Sequence, residues 1–210
     1  MQDMSVIISG FGGQGALFAG ILLCHSAVFE GKHTTWFPAY GAEMRGGAVN
    51  CAVNISDKEV PSPIIDKADA VIALNDASQE KFESKVKPGG FMIVNSSLCH
   101  LKPKRTDIKY INIPFNELAQ KLTQPAFINV MALGAFIEKT KILKLESIKE
   151  VMKEMAKTVS AKKAALLPNN LESVEFGANI IKNQLVTVSG NDGEWGSQGS
   201  CLLYTSPSPR

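Results

Sequence analysis

An α/β fold built on a doubly wound, mostly parallel sheet, with additional C-terminal helices, is predicted by three features of the chain. Residues 5–9 form a β-branched run that ends in a glycine-rich turn and passes into small and apolar residues at helical spacing. Residues 69–74 and 90–95 are short, continuously apolar runs of the kind buried on both faces of a parallel sheet, and a helical stretch separates them. From about Asn116 onward the pattern is helical only. Strands alternating with helices favour a doubly wound sheet, whose crossovers place helices on both faces.

Each element follows from its residues. After the first strand, Leu17, Ile21, Cys24 and Val28 recur in steps of four, three and four, while Ala16, Ala19 and Gly20 allow a close approach to the sheet. Gly31 ends this helix. A second strand is expected at 33–37, closed by Pro38, and a third at 48–55, with the loop 39–47 between them. The helical stretch covers 77–86, and a sixth strand is expected at 109–113. Val130, Leu133, Gly134 and Ile137 define one later helix face, and Ile148, Val151, Met152, Met155 and Val159 another. Ser147 with Glu150 fits a capping box, and Asn169 with Glu172 fits an N-cap ahead of Leu171, Val174, Ala178 and Ile181.

Composition narrows the classes. With 210 residues, 45% hydrophobic and 20% charged, the chain matches an ordinary soluble domain with a sizeable core. A formal charge of +2 is too small for the electrostatic footprint of a nucleic-acid binder. The start has no basic region before an apolar run, and no stretch reaches the roughly 18 apolar residues of a spanning helix, so no membrane is expected and the location is read as cytoplasmic. Cys24, Cys51, Cys99 and Cys201 form no C-x-x-C pair, so no metal site is expected, and Cys24 and Cys51 are read as buried apolar groups. His25, His33 and His100 fall on a helix, a strand start and a loop, with no shared catalytic spacing. Residues 1–184 are expected to form one domain and 185–200 a disordered tail rich in turn residues. The last ten residues, CLLYTSPSPR, can be encoded by a sequence resembling a transposase adapter used for sequencing libraries, so 201–210 are read as an artefact.

Two constellations carry candidate chemistry. Gly10, Gly12 and Gly15 match G-x-G-x-x-G between a strand and a helix, the Rossmann-like context in which glycine permits a tight turn and the helix N-terminus favours an anion. The alternative is that these glycines serve only strand-to-helix packing or a subunit contact. An ordinary NAD site would add an acid at the end of the second strand, yet that strand ends Trp36-Phe37-Pro38-Ala39. The second constellation is residues 40–47, YGAEMRGG, expected outside the carboxyl ends of the strands. There Arg45 could fork onto a phosphate or carboxylate with Glu43 orienting it, or the two could form an interface ion pair. Asn75-Asp76 and Asn95-Ser96-Ser97 follow strands and fit the same crevice, or serve as turn and cap groups.

Together, GFGGQGALFAG at 10–20, WFPAYGAEMRGGAVNC at 36–51 and VKPGGFMIVNSS at 86–97 resemble the gamma subunit of 2-oxoacid:ferredoxin oxidoreductases, over about residues 5–182. The 36–51 segment is closer to the 2-oxoglutarate and 2-oxoisovalerate members than to the pyruvate members, and indolepyruvate oxidoreductase beta subunits share the domain. The resemblance implies a complex of alpha, beta and sometimes delta subunits that decarboxylates a 2-oxoacid oxidatively, passes electrons to ferredoxin and forms acyl-coenzyme A. It implies thiamine diphosphate, magnesium and iron-sulfur clusters in the other subunits, with none bound by this chain alone and no catalytic residue assigned here. For this chain it implies support of assembly and of the coenzyme A side of the site, through Gly10, Gly12, Gly13, Gln14, Gly15, Tyr40, Glu43, Arg45 and Gly46. A stand-alone dinucleotide-binding protein and a purely structural scaffold subunit are the alternative readings.

Overall fold

A computed structural model of the chain describes residues 3–40, 48–122 and 127–189. Strand β1 (Met4–Phe11) lies in the interior of the sheet because its apolar residues serve both faces: Val6 and Ile8 enter the larger core and Ile7 the smaller one, all buried. Helix α1 (Ala16–Phe29) follows and is stopped by Gly31 at a φ of 76°. Next come β2 (His33–Tyr40), β3 (Ala48–Ser56), β4 (Ala68–Ala73), α2 (Asp76–Phe82) with a 3-10 turn at Glu83–Lys85, β5 (Val86–Asn95) and β6 (Lys109–Ile113). Four larger or smaller helices, α3 (Phe115–Ala119), α4 (Ile128–Thr140), α5 (Leu145–Thr158) and α6 (Ala161–Ala164), lead to α7 (Leu167–Lys182) and the short strand β7 (Thr187–Ser189).

The sheet has seven strands in the order β2-β3-β1-β4-β5-β6-β7. Strands β1, β4, β5 and β6 are mutually parallel, whereas β3 runs antiparallel to both β1 and β2, and β7 antiparallel to β6. The mostly parallel prediction therefore holds, with one substantive change: β3 lies between β1 and β2. The seven residues between Tyr40 and Ala48 are too few for a parallel crossover, so β2 and β3 must pair as a hairpin. Pro38 does not close β2 as expected but lies within it, opposite Cys51. It is tolerated there because β2 is the outer strand of the sheet, where a backbone N-H can be missing.

Helices α1, α4, α5 and α7 pack on one face around Leu22, Leu23, Leu133, Phe136, Ile148 and Val174. The other face carries α2, the 3-10 turn and the segment 96–108 over Val71, Met92, Val94 and Tyr110. Helix α4 is buried from Asn129 to Ile137, nearly all round, because α7 crosses it at glycines. A Cβ on Gly134 would run into the Val174 carbonyl, and one on Gly177 into that of Met131.

Both predicted caps are displaced. Helix α5 starts at Leu145 behind Lys144, and Ser147 is buried inside it, because the apolar pair Ile142 and Leu143 fixes the entry of the chain. Helix α7 starts at Leu167, with Pro168 in its first turn, so Asn169 lies within the helix and its carbonyl accepts from Ser173 Oγ. Within the stretch expected as a tail from 185, Thr187–Ser189 adds an antiparallel strand to β6. Residues 190–210, the remainder of that expected tail and the adapter-like end, lie outside the described residues.

Candidate functional site

Strand β1 ends at Phe11, and the chain turns through Gly12, Gly13 and Gln14 into α1. Gly13 has φ 101° and Gly15, the N-cap of α1, φ 76°, both in the left-handed region where a side chain is strained. A Cβ on Gly15 would also approach Asn129 Nδ2 to 2.6 Å. The Asn129 amide donates to the Gly15 carbonyl at 3.1 Å, which joins the start of α4 to the start of α1.

Gln14 folds back over the turn. Its Oε1 accepts from the Phe11 amide at 2.6 Å and from Asn75 Nδ2 at 2.9 Å. Gly10 has no room for a Cβ, which would stand 2.7 Å from that same Oε1. The glycine pattern thus makes space for a glutamine that takes up a backbone N-H of the turn, a donor that a phosphate would otherwise find free.

The carboxyl ends of the parallel strands are laced by amides. Asn75 caps α2, accepting from the Ser78 amide at 2.9 Å while donating to Gln14. The Leu74 carbonyl, at the end of β4, receives Gln14 Nε2 at 3.5 Å and Asn95 Nδ2 at 3.4 Å. Asn95 also donates to Asn116 Oδ1 at 3.0 Å, and its own Oδ1 is buried without a partner among the described residues. Ser97 donates to Glu117 and accepts from the Asn116 amide at 3.0 Å. Asn75 thus takes the cap role that was the alternative reading, and it and Asn95 are both buried beside the Leu74 backbone. Asn116 and Asn129 were not foreseen. Asn129 did leave a signal, a lone amide at the head of an apolar helix.

The second constellation is only partly described. Residues 41–47, including Glu43, Arg45 and Gly46, lie outside the described residues. Their flanks are placed by register: Tyr40 pairs with Val49, Val49 with Gly10, and Ala48 with Phe11. The segment therefore leaves and rejoins the sheet beside the entry to the glycine turn. Tyr40 itself stands two strands from β1, about 10 Å at the usual strand spacing. In a dinucleotide-binding sheet the second strand lies next to the first and presents its ribose acid there, a geometry the interposed β3 removes.

Two of the thiols among the described residues, Cys51 and Cys99, are buried. Burial pushes Cys51 up to about 12; its sulfur lies 3.4 Å from the Ala16 carbonyl and faces Gly20, where a Cβ would collide with it. Cys99 also rises to about 12, through burial and then the charge of Asp76. Cys24 is half-buried, with Thr34 Oγ1 3.5 Å from its sulfur. His25, His33 and His100 are exposed on separate elements. Among the described residues no group of three or more His, Cys, Asp or Glu stands close enough to hold a metal ion, and no helix is long and apolar enough to cross a membrane.

Residues 5–180 match the family model described as pyruvate ferredoxin/flavodoxin oxidoreductase. The ketoisovalerate oxidoreductase subunit VorA of Methanothermobacter thermautotrophicus is 35% identical over 184 residues, which make up 87% of this chain and 37% of that protein. The chain thus spans little more than a third of that relative's length. The 2-oxoglutarate synthase subunit KorC of Methanocaldococcus jannaschii is 32% identical over 148 residues, covering 69% of this chain and 79% of the relative. Among solved structures, the keto/oxoacid ferredoxin oxidoreductase gamma subunit of Geobacter sulfurreducens superposes with a TM-score of 0.73 at 25% identity, covering 87% of this chain and 98% of that one. With residues 5–180 matched, the chain belongs to the pyruvate ferredoxin/flavodoxin oxidoreductase family.

Proposed function

We propose that this chain is the gamma subunit of a cytoplasmic, multi-subunit 2-oxoacid:ferredoxin oxidoreductase. The complex converts a 2-oxoacid of the 2-oxoglutarate or 2-oxoisovalerate class to its acyl-coenzyme A and reduces ferredoxin. The observation that carries the reading is the match of residues 5–180 to the family, joined to a fold that superposes over nearly the whole of a free-standing gamma subunit. Thiamine diphosphate, magnesium and iron-sulfur clusters are assigned to the alpha, beta and delta partners. Thiamine and clusters supply decarboxylation and electron transfer when bound there. The contribution of this chain is positional.

The rim formed by Gly12, Gly13, Gln14 and Gly15, with Tyr40, Glu43, Arg45 and Gly46, is the proposed coenzyme A side of the site. Support comes from the register that sets Tyr40 and Ala48 at the level of Gly10 and Phe11. Arg45 supplies a planar fork suited to a phosphate. Purified chain reconstituted with its alpha and beta partners should restore coenzyme A-dependent ferredoxin reduction. In that complex Arg45→Ala should raise the KM for coenzyme A about tenfold, equivalent to one charge-assisted contact of about 1.4 kcal/mol. Full activity without this chain would refute the assignment. An unchanged KM with impaired assembly would favour a scaffold role.

A further inference from the structure

Helix α1 has no Asp, Glu, Lys or Arg in its fourteen residues, ALFAGILLCHSAVF. A helix apolar all round is normally buried all round. One half of α1 obeys that rule, with Ala16, Ala19, Leu22, Leu23 and Ala27 packed against the sheet and its neighbours. The other half does not. Phe18, Ile21, His25, Val28 and Phe29 recur at steps of three, four, three and one, within a single arc of about 100°. Phe18 is 37% exposed, Val28 60% and Phe29 57%. Helix α5 shows what a solvent face in this fold looks like: Glu150 with Lys153 and Glu154 with Lys157 pair along it. Isolated exposed apolar residues need no explanation, but an uncharged stripe running the length of a helix marks an interface.

The lengths of the relatives favour one occupant. In VorA this domain is 37% of a longer chain, whereas the KorC relative and the solved gamma subunit are matched over most of their length. A domain that occurs both joined to a larger polypeptide and free of it has a constant companion. Permanent interfaces of that kind are apolar, like a core cut in two, while transient ones are more polar. We propose that the outward stripe of α1, Phe18, Ile21, His25, Val28 and Phe29, is the surface on which this domain docks to the larger companion subunit of its complex. The proposal rests on the gamma-subunit reading above.

The test uses the full chain, tagged and co-expressed with the alpha and beta subunits, comparing wild type, a Val28→Glu and Phe29→Glu double variant, and a Val159→Glu and Leu166→Glu control that alters exposed apolar residues elsewhere. The α1 variant should recover at least tenfold less partner than wild type, with an unchanged circular dichroism spectrum and melting midpoint, while the control recovers as much as wild type. Equal recovery by the α1 variant would overturn the docking surface and leave the gamma-subunit reading standing. Failure of the wild-type chain to recover either partner would overturn both. Loss of a self-dimer by the α1 variant, with partner recovery intact, would assign the stripe to a second copy and overturn the proposal. A photo-crosslinking benzoylphenylalanine replacing Val28 gives a readout independent of variant folding: it should join the chain to the larger partner in the assembled complex, and a crosslink only to another copy, or none, would overturn the proposal.

Discussion

The two ends of the parallel strands are built from different chemistry. At the amino ends charged groups close in pairs: Asp69 accepts from the Ser5 amide at 2.8 Å, the Ser5 hydroxyl at 2.6 Å and Lys87 at 2.7 Å. Lys85 reaches Asp66 at 3.2 Å, and Arg105 binds Asp107 while donating to the Glu83 and Val86 carbonyls at 3.0 and 2.6 Å. At the carboxyl ends the contacts run mainly between the amides of Gln14, Asn75, Asn95 and Asn116. Ionic pairs fix one end of the sheet from within the chain. Neutral amides hold the other in shape while leaving acceptor capacity unspent, as at Asn95 Oδ1. The first is an arrangement for stability, and the second is the end where the coenzyme A side is proposed.

That contrast can be broken by substitution, starting where the effect is largest. Gly15→Ala forces a side chain into left-handed backbone and against Asn129, so it should cost about 2 kcal/mol in urea unfolding and also lower ferredoxin reduction in the assembled complex. Next, Asp69→Asn should cost about 1.5 kcal/mol at pH 7, because it removes charge-assisted bonds from a half-buried cluster, yet leave activity per folded molecule unchanged. Burial alone would raise the Asp69 pKa, but Lys87 and the two donors of Ser5 outweigh it and hold the carboxyl below its ordinary value. A depressed folded pKa means that this contribution is complete above the unfolded value of about 3.9 and disappears as pH falls through the folded value. Wild type and Asp69→Asn should therefore converge in stability below about pH 4 in a pH series of melting midpoints.

Asn75→Ala removes the α2 cap and the donor to Gln14, and should cost about 1 kcal/mol by the same unfolding assay. Its activity loss should exceed what that destabilisation explains. At the small end, Lys85→Ala breaks an ion pair whose side chains are 43% and 86% exposed and should shift stability by less than about 0.5 kcal/mol. If Asp69→Asn or Lys85→Ala impaired turnover in the folded complex, the division of labour between the two ends would be wrong.

Much of this architecture was legible locally. A β-branched run, a glycine turn and a small-residue helix determine their own geometry, which is why β1, the turn and α1 appear where the residues put them. Gly20, expected to allow close approach, does face Cys51 and Trp36. The position of β3 between β1 and β2 was not legible, since neighbours in a sheet are chosen by non-local pairing, and the 39–47 loop was not read as a hairpin turn. The caps of α5 and α7 failed for another reason. Burial of Ile142 and Leu143 and the placement of Pro168 decide where those helices begin, and tertiary packing outweighs a cap of about 1 kcal/mol. At the candidate site, the glycines and the two strand-end asparagines could be read. Gln14 turning back on its own loop could not, because its partners are Phe11 and the distant Asn75.

The crossing of α4 and α7 at Gly134 and Gly177 brings backbone against backbone, so neither helix can slide or tilt without carrying the other. Because α4 begins at the amide that grips the glycine turn and α7 leads into the strand that borders β6, the pair forms a stiff strut from one side of the sheet to the other. Helices α4 and α7 are therefore no appendage to a nucleotide-type core: Val130, Leu133, Phe136 and Val174 belong to the same buried cluster as Val6 and Ile8 of β1.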